Sequence, residues 1–360
     1  MVLTIIIAFI SLIGLVVLHE LGHFLLAKKF GVRVDEFGIG YPPRLIGKKI
    51  GETIYSLNLL PFGAFVRIYG EEGEGQGQGS FNNKKLWQRA LIIGGGVISF
   101  WIISAVLLTL VMFMGAPSVI SDEEVGSFRE VKVQIASIAA NSPAAQAQLK
   151  VGDIVMGAKS LTGQETNFDQ VGQLQSFTKD NEGRKIFLII KRGSEVFEVS
   201  LIPRVSPPSG EGAMGVALVR TALKSFPWWQ APIKGITGTF NLTLMVIDGW
   251  TQAIKNITQG QPSGVQVMGP VGIFSFMSQV GELGASYFLQ FIALISVYIA
   301  LFNVLPIPSF DGGKLLFLAI EGIRRKPVAA RIEQSITLAF FGVLILLMVW
   351  VTIKDVMRLL

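Results

Sequence analysis

Apolar and polar positions are spread unevenly along this chain. Four stretches contain no Asp, Glu, Lys, Arg or His: Met1 to Leu18, Ala90 to Ser121, Leu283 to Phe310 and Gln334 to Ile353. Each reaches the roughly 18 residues that a bilayer-crossing helix needs, so the pattern predicts four transmembrane helices. No basic residue precedes the first stretch and no small-residue cleavage site follows it, which argues for a retained helix over a signal peptide. Between the first two stretches, "KKIGETIYSLNLLPFGAFVRIYG" (Lys48 to Gly70) strings short β-branched and aromatic runs around Pro61 and Gly63, the pattern of one or two β-hairpins. Gly70 to Ser80 is too polar and glycine-rich to pack and reads as a flexible loop.

The long connection between the second and third stretches divides in two. From about Val131 to Pro203, short strands surround a helix start at "NSPAAQAQL", where Asn141 or Ser142 can cap the helix and Pro143 suits its first turn. That order predicts a small α/β domain. Ser206 to Gly212 is a linker. Phe226 to Gly281 is amphipathic, and its paired Trp228 and Trp229 suit either the headgroup level of a membrane or packing on their own domain.

Composition agrees with a membrane protein: 51% of the 360 residues are hydrophobic and 16% charged, with mean hydropathy +0.55. Charge sets the expected orientation. Ten basic residues from Lys28 to Arg89 lie between the first two windows, and Lys314, Arg324, Arg325, Lys326 and Arg331 between the last two. Dense Lys and Arg in short connections favour the cytoplasm, whereas the connection from the second to the third window balances 14 basic against 14 acidic residues, as expected of a translocated domain. Both termini and the inserted domain are therefore expected outside the cytoplasm. No aromatic-interleaved basic stripe suggests nucleic acid. The absence of cysteine excludes disulfides and thiolate ligands.

Within the first apolar run stands "HELGH". His19 and His23 are four apart, so on a helix both reach one metal ion, and Glu20 can take a proton from water held there. They are the only two histidines of the chain, and three ionisable groups in a membrane helix are costly without a function. Hydrolytic zinc usually takes three protein ligands, so with no further His or Cys the third is a carboxylate. Asp311 in "LFNVLPIPSFDGGK" closes the third apolar window on the expected cytoplasmic side. There Pro306, Pro308, Gly312 and Gly313 can unwind the helix end. Asn303, in the same span, either hydrogen-bonds a substrate carbonyl or joins two helices.

These motifs resemble the site-2 protease family of intramembrane zinc metalloproteases, and within it the bacterial regulator-of-sigma-E protease branch, along nearly the whole chain. The resemblance implies that His19, His23 and Asp311 bind zinc, that Glu20 is the catalytic base and that Asn303 contacts substrate. "NSPAAQAQLKVGDIV" resembles a PDZ domain, and "GPVGI" (Gly269 to Ile273) a segment that follows such domains in the family. "PFGAFVRIYG" resembles a membrane-associated hairpin that holds substrate as an added strand, which implicates Gly63, Ala64 and Phe65. Two features depart from the family: there is room for one PDZ domain instead of two, and "GGGVISF" has Gly96 and Ser99 where a proline and an asparagine are usual.

The expected architecture is thus a polytopic α-helical membrane protein: four transmembrane helices, a cytoplasmic-side β-hairpin and one inserted extracytoplasmic PDZ-like α/β domain. Residues 1–115 would hold the first two helices and the hairpin, 116–208 the PDZ-like domain, 209–282 an amphipathic region and 283–360 the last two helices. The resemblance implies an intramembrane zinc endopeptidase of a bacterial inner membrane. Its expected partners are the bilayer, membrane-spanning substrates such as pre-trimmed anti-sigma-factor-like or signal-peptide-like proteins, and, at the PDZ-like domain, peptide C-termini or trimmed ectodomain ends. A non-catalytic PDZ adaptor with a structural metal site is the alternative, and Glu20, which a structural site does not need, discriminates between the two.

Overall fold

The computed structural model describes every residue except 1, 72–74, 76, 125–127, 161–164, 194, 209, 262, 264–267 and 360. The chain forms two compact units, one of residues 1–110, 232–281 and 288–360, the other of 111–231 and 282–287.

The first unit contains four helices long and apolar enough to cross a membrane: α1 (Val2–Lys29), α2 (Leu86–Met114), α7 (Ala285–Val304) and α9 (Ala330–Leu359). Large side chains such as Ile98, Ile102, Val106 and Leu110 on α2 are exposed, as suits helices whose solvent is hydrocarbon. Where α1 crosses α2, glycines meet: a methyl on Gly22 would strike the Gly95 carbonyl, and one on Gly95 would lie 2.9 Å from the Gly22 carbonyl. Small residues let backbones approach in a medium that supplies no hydrophobic drive between helices. Two more helices, α5 (Ala231–Thr258) and α6 (Pro270–Glu282), belong to the amphipathic region. Along α5, Gly235, Thr239 and Thr243 face α2, with Trp101 Nε1 donating to Thr243 Oγ1 at 3.1 Å. The "GPVGI" segment starts α6, and Asp355 near the end of α9 accepts from the Gly272 amide at 2.7 Å, serving one of that helix's otherwise unpaired N–H groups.

The third apolar window unwinds at its end as the Pro and Gly residues lead one to expect, and a new helix follows. Helix α7 stops at Val304, seven residues short of Asp311, and Asp311 opens a separate helix, α8 (Asp311–Arg324). Prolines 306 and 308 cannot continue α7, and Gly312 and Gly313 pass so close to the carbonyls of Val304, Leu305 and Ile307 that a Cβ on either would collide.

The β structure expected over Lys48 to Gly70 begins earlier, at Val34: β1 (Val34–Ile50) pairs with β2 (Thr53–Ile68), and the ribbon bends back on itself. Residues 36–39 of β1 pair with 54–57 of β2 on one side and with 64–67 on the other, while 44–50 pair with 53–58. The result is four short segments in the order 44–50, 53–58, 34–39, 64–68, so the last has one free edge among the described residues. Glu36, 4% exposed, ties the segments together by ion-pairing Arg44 at 2.7 Å and accepting from Ser56 Oγ at 2.6 Å. Of the flexible loop expected from Gly70 to Ser80, residues 72–74 and 76 lie outside the described residues, but its end packs: Ser80 is buried and the Gly79 carbonyl accepts from the Arg33 amide at 2.9 Å.

The second unit is built on one antiparallel sheet. Its strands are β3 (Ala116–Ile120), β4 (Arg129–Ile138), β5 (Ile154–Lys159), β6 (Glu165–Asn167), β7 (Ile186–Arg192), β8 (Glu195–Leu201) and β9 (Val216–Lys224). The order is β3-β9-β4-β5-β7-β8, with β6 pairing β5. Two helices accompany it, the short α3 (Pro143–Gln146) and α4 (Val171–Asp180). Ser142 caps α3 with its Oγ accepting from the Ala145 amide at 3.1 Å. Leu174 of α4 joins Ile186, Leu188 and Ile190 of β7 in one buried core. The sheet takes in both ends of the inserted segment, and one strand, β9, comes from outside the 116–208 expected of the domain. Residues 116–120, which prolong the second apolar window, leave the helix at Gly115 (φ +122°), a conformation that favours glycine, and become β3. Residues 216–224, expected in the amphipathic region, form β9 between β3 and β4.

Candidate metal centre

Helix periodicity puts His19 and His23 on one face of α1, and the α7–α8 break brings Asp311 to them. His23 Nε2 lies 3.3 Å from His19 Nε2 and 3.3 Å from Asp311 Oδ2, and His19 Nε2 lies 3.5 Å from that same oxygen. All three residues are buried. A tetrahedral zinc ion with ligands at about 2.0–2.1 Å has ligand-to-ligand edges of about 3.3–3.4 Å, so this triangle has the dimensions of one zinc face. Among the described residues Asp311 Oδ2 has no well-formed hydrogen bond, and this buried carboxylate oxygen faces two imidazole nitrogens with which it could share a cation. The donor set, two imidazoles and a carboxylate, suits zinc chemically.

The rings are held in place from behind. His23 Nδ1 is 2.9 Å from the Ile92 carbonyl of α2, and donating there leaves the Nε2 lone pair for the metal. The His19 ring stacks on Phe100, centroids 4.6 Å apart at 19°. Gly96 sits against both imidazoles, and a methyl group there would collide with His23 Nε2. This gives the glycine at a family proline position a reason, since here α2 lies too near the rings to carry a side chain. Ser99, in place of the family asparagine, turns back to its own helix, donating to the Gly96 carbonyl at 2.6 Å.

Glu20 is half-buried on the same helix and makes no ion pair among the described residues. Its field reaches Tyr41 of β1: burial first, and the Glu20 carboxylate second, push the Tyr41 hydroxyl above its ordinary value, so it stays protonated. Asn303 donates to the Ile299 carbonyl of its own helix at 2.9 Å, and the structure does not bring it into the triad. Ala64 and Phe65 lie on the one-sided segment 64–68, and Gly63 precedes it at φ +83° with the Tyr41 ring against it. Sequence reading missed the Lys314–Glu71 ion pair of 2.6 Å, which links α8, one turn beyond Asp311, to the end of β2. That carboxylate holds the Lys314 ammonium above its usual range. The lysine in "DGGK" was visible, but its partner 243 residues away was not.

The sequence profile of peptidase family M50 matches residues 7–349. A Clostridium perfringens protein with a provisional zinc metalloprotease name is 35% identical over 353 residues, covering 98% of each chain. The regulator of sigma-W protease RasP of Bacillus subtilis is 27% identical, with 98% of each chain covered. The zinc metalloprotease RasP of Oceanobacillus iheyensis is 26% identical over 99% of this chain and all of its own.

Proposed function

Since the chain belongs to peptidase family M50, we propose a division of labour within a zinc metalloprotease of the membrane: His19, His23 and Asp311 hold the metal and Glu20 is the catalytic base. The observation that carries this is the zinc-sized triangle of two imidazole nitrogens and one buried carboxylate oxygen beside a half-buried, unpaired glutamate. Zinc, when bound, supplies a Lewis acid that polarises a peptide carbonyl and acidifies water. Glu20 takes the proton of the attacking water on a carboxylate oxygen and delivers it to the leaving amide nitrogen. His23, held by its Nδ1 on the Ile92 carbonyl, points Nε2 towards His19 Nε2 and Asp311 Oδ2, where it would hold the metal.

A peptide bond inside a helix is shielded and already hydrogen-bonded, so the substrate has to be opened first. The free edge of segment 64–68 offers main-chain donors and acceptors to an extended chain, the strand-addition mode of recognition, which supports roles for Gly63, Ala64 and Phe65. Asn303 is assigned to substrate on the resemblance alone. The charge pattern supports an inner-membrane orientation with both termini and the sheet unit extracytoplasmic and the metal towards the cytoplasm. On this reading the sheet unit is PDZ-like and admits trimmed substrates while excluding bulky ectodomains, by virtue of its insertion between α2 and α7.

The test of the central assignment is Glu20→Gln. Purified in detergent, it should retain about one zinc per chain and lose cleavage of a reporter helix by at least about 100-fold. Cleavage at the wild-type rate would remove Glu20 from the chemistry, and loss of zinc would make it part of the binding site instead.

A further inference from the structure

Beside the candidate metal centre the first unit has an open cavity of about 860 Å³ whose wall no catalytic role yet explains. It abuts the ligand shell on two sides, through Phe310 next to Asp311 and Ile93 next to the carbonyl that anchors His23. Two cations in its wall are already committed, Lys314 to Glu71 at 2.6 Å and Arg89 to Glu321 at 2.7 Å. Glu333, in the first turn of α9, also lines it and has no ion-pair partner among the described residues. Among the described residues the wall therefore holds three carboxylates against two cations. Arg89 is 9% exposed and is held between Glu321 and the Phe81 ring, so it is fixed in the wall.

The chemistry of a fitting ligand follows from what must lie here. A membrane segment cut at this metal continues past it towards the cytoplasm, and the residues flanking a span on that side are enriched in Lys and Arg. We propose that this cavity seats the basic flank of the substrate's membrane segment, with Glu333 as the specificity-determining residue that reads its positive charge. The inference rests on the proteolytic reading and on the orientation given above. It deepens both, because it names a feature of the substrate: a cation a few residues to the cytoplasmic side of the scissile bond.

Charge reversal tests it. Three single-span reporters, identical except for Lys, Gln or Glu at the cytoplasmic flank, are cleaved by the full-length enzyme in liposomes. Wild type should favour the Lys reporter over the Glu reporter by about fivefold in kcat/KM, the scale of a partly screened ion pair. Glu333→Gln should flatten that ratio and Glu333→Lys should invert it. A ratio unmoved by either substitution, or rates falling equally on all three reporters, overturns the proposal. So do equal wild-type rates on the three, which leave the proteolytic reading standing. A wild-type enzyme that cuts none of them while fully loaded with zinc overturns both.

Discussion

The two units of this protein are held together by different means. The sheet unit has an ordinary interior, in which Leu174, Ile186, Leu188 and Ile190 are fully buried and apolar area removed from water supplies the stability. At the α1–α2 crossing the closest approach is instead backbone to backbone, between Gly22 and Gly95, with buried side chains such as Ile92, Val97 and Phe100 packed to either side. Lipid tails are as apolar as leucine, so cohesion there comes from close approach and from polar contacts such as His23 on the Ile92 carbonyl. The lesson is about where function is vulnerable. In the sheet unit a lost methyl costs stability; at the crossing an added one costs the metal centre.

The sharpest way to break this contrast is to enlarge the crossing. Gly22→Val should drive α1 off the Gly95 carbonyl, carry His23 away from Ile92 and lower zinc affinity by about 100-fold, the upper range for loss of an outer-shell partner. Competition with a chromophoric chelator reads the affinity, and undiminished binding would show that the crossing does not set the ligand geometry. Next in size, Leu188→Ala in the sheet unit should cost about 2–5 kcal/mol of that unit's stability with the zinc content intact. Limited proteolysis in urea beside metal analysis separates the two effects. The smallest change concerns a helix end. Asp122 accepts from the Val171 and Gly172 amides at 3.0 and 2.7 Å and so caps α4 from a distant part of the chain, where Gln170 provides no side-chain cap. Asp122→Ala should cost about 1 kcal/mol, seen as a small shift of the same unfolding midpoint.

Much of the candidate metal site could be proposed from the chain because chemistry left few choices. With two histidines four apart and no cysteine, the search for a third ligand reduces to carboxylates at the right depth, and Asp311 follows from the topology. The spans were visible for the related reason that a bilayer demands long apolar runs. What stayed hidden depended on contacts between distant residues or on one backbone angle. An apolar run does not record that Gly115 turns residues 116–120 out of the helix and into β3. The pairing of 36–39 with two partners is likewise absent from local alternation, which only says that strands are present. Glycine at 96 registers in the sequence as a departure from a pattern, and it gains a cause only when the imidazoles are found against it.

The acceptor that orients His23 is the main chain at residue 92, not a side chain. Side-chain replacement at that position therefore leaves the acceptor atom itself in the protein, whereas a carboxylate or amide in the same role could be erased by one codon change. The centre's orienting bond is in this sense mutation-proof locally and is exposed to inheritance only through the register in which two helices meet.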